Sequence, residues 1–188
     1  MHNEQQWLLK CRHGDKDAFY ELVKPHLDRA YSTAVVILHS THLAEDALQN
    51  SMLEAYQSIM LGKEIRNFGA WFKQLVASRA LDLARVRAKQ VQRTDHLEGT
   101  DPPDEQAQPM EALLQKEKDT QLLQQVMSLD IRHRTVIVLH YYEEMSINEI
   151  AQLLGLKPGT VKSRLHTARL RLLQQYDNSN ERQVTYNV

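Results

Sequence analysis

The sequence predicts an all-α protein built as two small helical domains joined by a flexible acidic linker. Three observations carry that prediction. The chain of 188 residues holds only 6 Gly and 5 Pro, few for a protein of many short strands and turns. Its apolar residues recur at three- and four-residue intervals, the period of a helix face, and no alternating run stands out. Its net charge of -1 hides a segregation along the chain. Lys73 to Arg93 carries six basic residues against the single acid Asp82, a net +5, whereas Thr94 to Asp119 carries eight acids against Lys116 and Lys118, a net −6. Inside the acidic stretch, "GTDPPDEQAQP" combines prolines and glycine with an absence of periodic apolar residues, the composition of a linker. The expected division is a first module over 1–93, a linker over 94–109, a second module over 110–176 and a polar tail over 177–188.

Whole-chain properties exclude several classes of function. Cys11 is the only cysteine, so an internal disulfide and a multi-cysteine zinc site are ruled out, as suits a reducing compartment. The opening "MHNEQQWLLKCRHGDKD" lacks the apolar core of a signal peptide, and "AVVIL" at 34–38 is far too short to span a bilayer. The expectation is a soluble cytoplasmic protein. No phosphate-binding glycine loop, nucleophile elbow or paired catalytic carboxylates occur, so neither an enzyme nor a cofactor is expected. His39, His42 and Glu45 fall at i, i+3 and i+6, but "HSTH" marks a helix break with Thr41 as the expected cap, and no metal site is expected there.

In the second module, Leu122, Val126, Leu129, Val136, Ile137, Leu139 and Tyr141 are spaced for two helices on a shared core, divided near Asp130. Ser146 and Glu149 have the spacing of a capping box, followed by the apolar stripe Ile147, Ile150, Ala151 and Leu154. Gly155 is placed to end that helix in a left-handed conformation, and Pro158 to begin the next, where its missing N–H is not needed. Two short helices joined by so tight a turn predict a helix-turn-helix.

The last helix explains why "KPGTVKSRLHTARLRLL" at 157–173 gathers five basic residues and no acid. At about 100° per residue, Val161, Leu165, Ala168 and Leu172 fall together as a buried stripe. Ser163, His166 and Thr167 point away from it, with Lys162 and Arg169 on one flank and Arg164 and Arg171 on the other. A helix lying in a DNA major groove needs this arrangement, small polar groups at base edges and cations at the phosphates on both sides. Leu170 falls on the outward side and fits neither face.

From "RHRTVIVLHYY" through "KSRLHTARLRL" (Arg132 to Leu172), the chain resembles the domain that binds the promoter minus-thirty-five element in bacterial sigma factors of the extracytoplasmic-function (ECF) group. The first module adds matches in the same order. "GDKDAFYELV" is similar to the family's opening element, with Asp15 as a helix cap and Phe19, Leu22, Val23, Leu27 and Tyr31 as core. "AEDALQNSMLEAY" resembles the segment that grips RNA polymerase. Asp46, Gln49, Asn50 and Leu53 there fall at i, i+3, i+4 and i+7 along one helix edge, beside an inward face of Ala44, Leu48, Met52 and Ala55.

"FGAWFKQLVASRALDLARVRAKQ" resembles the helix that opens and reads the minus-ten element, which requires phosphate neutralisation and a place for an extruded base. The resemblance assigns the first task to Arg79, Arg85, Arg87 and Lys89 and the second to the preceding "GKEIRN" loop with Arg66 and Asn67. Trp71, beside Phe68 and Phe72 at a helix start, has two roles open to it: core packing or a surface for the unpaired strand. The family implies core RNA polymerase, promoter DNA and an anti-sigma factor, often membrane-borne, as partners. It implies no small-molecule substrate, catalysis and metal ions being supplied by the polymerase. Asn50 stands where the family usually has an acid, Met52 where Phe is common, Ser78 where Asn is frequent and Thr167 where Arg is frequent, so promoter preference is not transferable from relatives. Two other readings fit parts of the chain: a helix-turn-helix regulator that binds DNA without polymerase, and an antagonist that mimics one sigma domain. The Asp46 edge and the Lys73 to Arg93 block are what a simple repressor would not need.

Overall fold

The computed structural model describes residues 2–94 and 117–185, with side chains over 4–90 and 121–176. Apart from Thr94, the linker expected at 94–109 lies outside the described residues. The described residues contain helices and turns and no strand. The chain divides into two compact units, Met1–Glu105 and Gln106–Val188.

The first unit comprises α1 (His2–Arg12), α2 (Lys16–Val23), a single 3-10 turn at Lys24–His26, α3 (Leu27–Leu38), α4 (Thr41–Met60) and α5 (Phe68–Thr94). As its sequence position predicts, Asp15 starts α2, its carboxylate accepting the Ala18 N–H at 3.0 Å. Every α3 residue from Ser32 to Leu38 is buried, so this helix is covered all round and forms the centre against which α4 and α5 pack. Ala44, Ala47 and Ala55 on α4 and Ala77 and Ala80 on α5 are fully buried, and their small side chains let the helix backbones approach closely. Leu48 and Met52 are half-buried beside them, as are Phe19, Leu27 and Tyr31 at the margin of the core. Phe19 meets Tyr56 edge-on at 5.2 Å. Cys11 is fully buried, and burial followed by the Asp15 charge pushes its thiol pKa up.

At the α3–α4 break the cap is Ser40, correcting the expectation of Thr41. Ser40 has an extended backbone and its hydroxyl accepts the Leu43 N–H at 3.3 Å, whereas Thr41 already lies within the helix. The preceding His39 is left-handed, with φ 54°. Among the described residues no three His, Cys, Asp or Glu side chains gather where they could hold a metal ion, and no helix is long and apolar enough to cross a membrane.

The second unit comprises α6 (Glu117–Ser128), α7 (Ile131–Ile137), a π-helical turn at Val138–Tyr142, α8 (Ile147–Leu154) and α9 (Pro158–Thr185). Helix α9 thus runs on into the segment expected as a polar tail. Asp130 divides α6 from α7 and caps the latter. Ser146 and Glu149 form the reciprocal capping box, and Gly155 ends α8 at φ 64°. Leu129, Val136, Ile137, Leu139, Ile150 and Ala151 are buried with Val161, Leu165 and Ala168, while Val126, Ile147, Leu154 and Leu172 are half-buried.

Two expected core residues are not core. Leu122 is 56% exposed; among the described side chains of α6 only Met127, in its last turn, is buried, with Leu129 just beyond the helix. Tyr141 is also 56% exposed. It lies in the π turn, whose widened ring, with the Glu143 N–H donating to the Val138 carbonyl at 3.0 Å, changes which side chains face inward. Met145 is buried to 2% in that region.

Candidate nucleic-acid interface

On α9 the inward stripe and the outward groups separate as the wheel predicts. Val161, Leu165 and Ala168 are fully buried, while Lys162, Ser163, His166, Arg169 and Arg171 are exposed and Arg164 and Thr167 half-buried at the flanks. Four cations flanking the outward side of a supported helix make a surface for a polyanion. They are not equally available. Arg171 Nη1 donates to Asp130 Oδ2 at 2.6 Å, and the same carboxyl oxygen lies 2.7 Å from His133 Nδ1. The other Asp130 oxygen accepts the Arg132 and His133 backbone N–H groups at 3.2 and 3.3 Å. Burial works to raise the Asp130 pKa, but the hydrogen bonds from His133 and Arg171 outweigh it and hold the carboxyl well below the usual carboxylate range. Arg171 therefore fastens α9 to the start of α7. Arg169 lies 5.9 Å above the exposed Tyr141 ring, which steadies its direction while leaving it open to solvent. Leu170, 47% exposed, remains outward without a packing role.

In the first unit, the α4 edge expected to grip polymerase is open. Gln49, Asn50 and Leu53 are exposed, Leu53 to 62%, and Asp46 is half-buried. A large apolar side chain standing in solvent within a polar row is a mark of protein contact sites.

The cationic α5 starts from an aromatic cluster. Phe68 and Phe72 are fully buried and stacked at 5.4 Å. Trp71 is half-buried, edge-on to Phe68 at 5.9 Å, with Lys63 Nζ 5.0 Å over its ring, so it joins the core at one edge and reaches solvent at the other. Gly69 lies so close to His26 that a Cβ there would come within 2.6 Å of the imidazole. Further along, Arg79 Nε donates to Glu54 Oε2 on α4 at 2.7 Å, with a second contact through Nη2, and its Nη1 reaches Asp82 at 3.3 Å. Arg85 is exposed and donates to Asp82 at 2.9 Å. Arg87 is half-buried and Lys89 exposed; among the described residues neither faces a carboxylate within ion-pair distance. Glu54 had no sequence signal, because its partner is 25 residues away.

The loop between α4 and α5 presents Arg66 and Asn67 to solvent, with Ile65 between them and the core at 6% exposure. Asn67 also caps α5, its Oδ1 accepting the Ala70 N–H at 2.8 Å.

Residues 22–90 match the family Sigma-70 region 2, and residues 119–172 match Sigma-70, region 4. ECF RNA polymerase sigma factor SigW of Bacillus subtilis (strain 168) is 30% identical over 175 residues, covering 89% of this chain and 94% of the relative. Two solved structures share the fold. The sigma factor RpoE in complex with the anti-sigma factor NepR from Bartonella quintana has a TM-score of 0.61 and 21% identity over 85% of this chain and 96% of that one. CnrH in complex with the cytosolic domain of CnrY has a TM-score of 0.62 and 22% identity over 94% and 98%. With matching regions in the expected order, and a curated relative aligned along nearly its whole length, the chain belongs to the ECF family of RNA polymerase sigma factors.

Proposed function

We propose that this chain is a dissociable initiation factor that binds core RNA polymerase and directs it to promoters. Residues 1–93 dock on the polymerase through Asp46, Gln49, Asn50 and Leu53 and capture the melted minus-ten strand. Arg66, Asn67 and the open edge of Trp71 receive unpaired bases, and Arg85, Arg87 and Lys89 meet phosphates. Arg85 does so by leaving Asp82, and Arg79 joins them by leaving Glu54 and Asp82. Residues 110–176 insert α9 into the minus-thirty-five duplex. Ser163, His166 and Thr167 face base edges and Lys162, Arg164 and Arg169 reach the backbone, while Arg171 does so only by releasing Asp130. Residues 94–109 span between the two, and 177–188 form the tail.

The observation that carries this reading is the pairing, in one chain, of two cationic helices with different local chemistry. One begins at an aromatic cluster suited to single strands, and the other is the second helix of a helix-turn-helix suited to duplex. Bond formation and its metal ions belong to the polymerase, so the chain itself needs no cofactor or small-molecule substrate and is not an enzyme. It works in the cytoplasm, where an anti-sigma factor, membrane-borne or soluble, sequesters it.

Run-off transcription with purified core polymerase tests the reading. A promoter-specific transcript that depends on the added chain is expected. Duplex binding by the chain alone, with no transcript, would instead favour a stand-alone regulator.

A further inference from the structure

Helix α1 makes three contacts to one short segment that is distant in sequence. The Glu4 carboxylate accepts the N–H of Phe68, the first residue of α5. Gln5 Nε2 donates to the Ile65 carbonyl at 3.5 Å, and Arg12 Nη2 donates to the Lys63 carbonyl at 2.9 Å. Gln5 and Arg12 are seven residues apart, two turns along one helix seam, and Glu4 lies about 100° to the side. All three side chains therefore leave α1 from one sector. Their targets are the backbone groups of Lys63, Ile65 and Phe68, and the exposed Arg66 and Asn67 stand between the last two of them, untouched by α1.

We infer that α1 is a positioning element for the strand-capturing loop, with Glu4, Gln5 and Arg12 as positioning residues that fix the backbone on which Arg66 and Asn67 are displayed. The inference rests on the reading above that this loop receives an unpaired base. The loop needs such support: Gly62, at φ 79°, turns the chain out of α4, and Ile65 is its only buried side chain. Gln5 and Arg12 are exposed, so their hydrogen bonds add little to the packed core; what they constrain is loop shape. A loop already ordered before the strand arrives loses less conformational freedom on binding.

The test uses the full chain assembled with core polymerase and the non-template minus-ten oligonucleotide of a promoter found by the run-off assay. The double substitution Glu4→Ala with Arg12→Ala is expected to weaken oligonucleotide binding about tenfold, the factor carried by roughly one to two hydrogen bonds. Affinity for core polymerase and the melting temperature should stay unchanged. The deficit should vanish with an oligonucleotide made abasic at the captured position, and Arg12→Lys, which keeps a donor for the Lys63 carbonyl, should restore most of the Arg12→Ala loss. Undiminished binding by the double variant, while Arg66→Ala weakens it, would overturn the positioning role and leave the loop reading intact. An equal loss on intact and abasic strands would show general damage and overturn it also. If Arg66→Ala and Asn67→Ala both bind normally, the loop reading falls and the inference with it.

Discussion

At the scale of single residues, a count of cations differs from the charge available to a nucleic acid. Arg79 and Arg171 look equivalent to their neighbours in sequence, yet each is held by a carboxylate, Glu54 for the first and Asp130 for the second. Asp130 also caps α7, so one side chain ties the start of that helix to α9. Replacing Asp130 with Ala should loosen this junction by about 1–2 kcal/mol at neutral pH, the range for a lost cap, with faster hydrogen exchange at the first amides of α7. The pH dependence follows from the lowered pKa. The contribution is fully present above the ordinary Asp value of about 4 and is lost as pH falls toward the depressed folded-state value. The difference in exchange between Asp130→Ala and the parent should therefore narrow below about pH 4. Caps were legible in advance because they depend on residue type and short spacing, as at Asp15, Ser146 and Gly155. The partners of Arg79 and Arg171 were not, since a pair separated by 25 or 41 residues leaves no local pattern.

At the scale of elements, the period of apolar residues located the functional helices well. The α9 stripe of Val161, Leu165 and Ala168 is buried and its polar side is open, because a regular helix preserves angular relations along its length. The same reasoning failed at Tyr141, where a π turn breaks the regular register, and at Leu122, which stands exposed on α6. Neither feature is encoded in spacing. Ser40 displaced Thr41 as a cap by a single position, the scale at which helix boundaries are least determined by residue type. The difference between anchored and open cations on α9 has a measurable counterpart. For duplex binding by the holoenzyme, Lys162→Ala should lower the slope of log affinity against log salt by about 0.9, the value for one phosphate contact. Arg171→Ala should leave the slope near that of the parent, since its guanidinium is spent on Asp130.

At the scale of the whole molecule, charge is arranged in blocks, with an acidic stretch between two basic helices. Neither basic block is large, so each alone should bind DNA weakly, with useful affinity expected only when both are held on one enzyme. An acidic stretch tethered in the same chain would compete with DNA for their cations. Changing Asp95, Glu98, Asp101, Asp104 and Glu105 to amides should raise the free chain's affinity for a minus-thirty-five duplex roughly threefold at low salt, with the gain fading as the Debye length shrinks. Binding measured by fluorescence anisotropy across a salt series would reveal this, and equal affinities at low salt would rule the competition out.

The sealed position of Cys11 gives one half of the protein a clock of its own. A thiol reagent cannot reach that sulfur while the surrounding helices stay closed, so alkylation measures how often the first unit breathes and is blind to the second. Any ligand that steadies only that half should slow the chemistry in proportion.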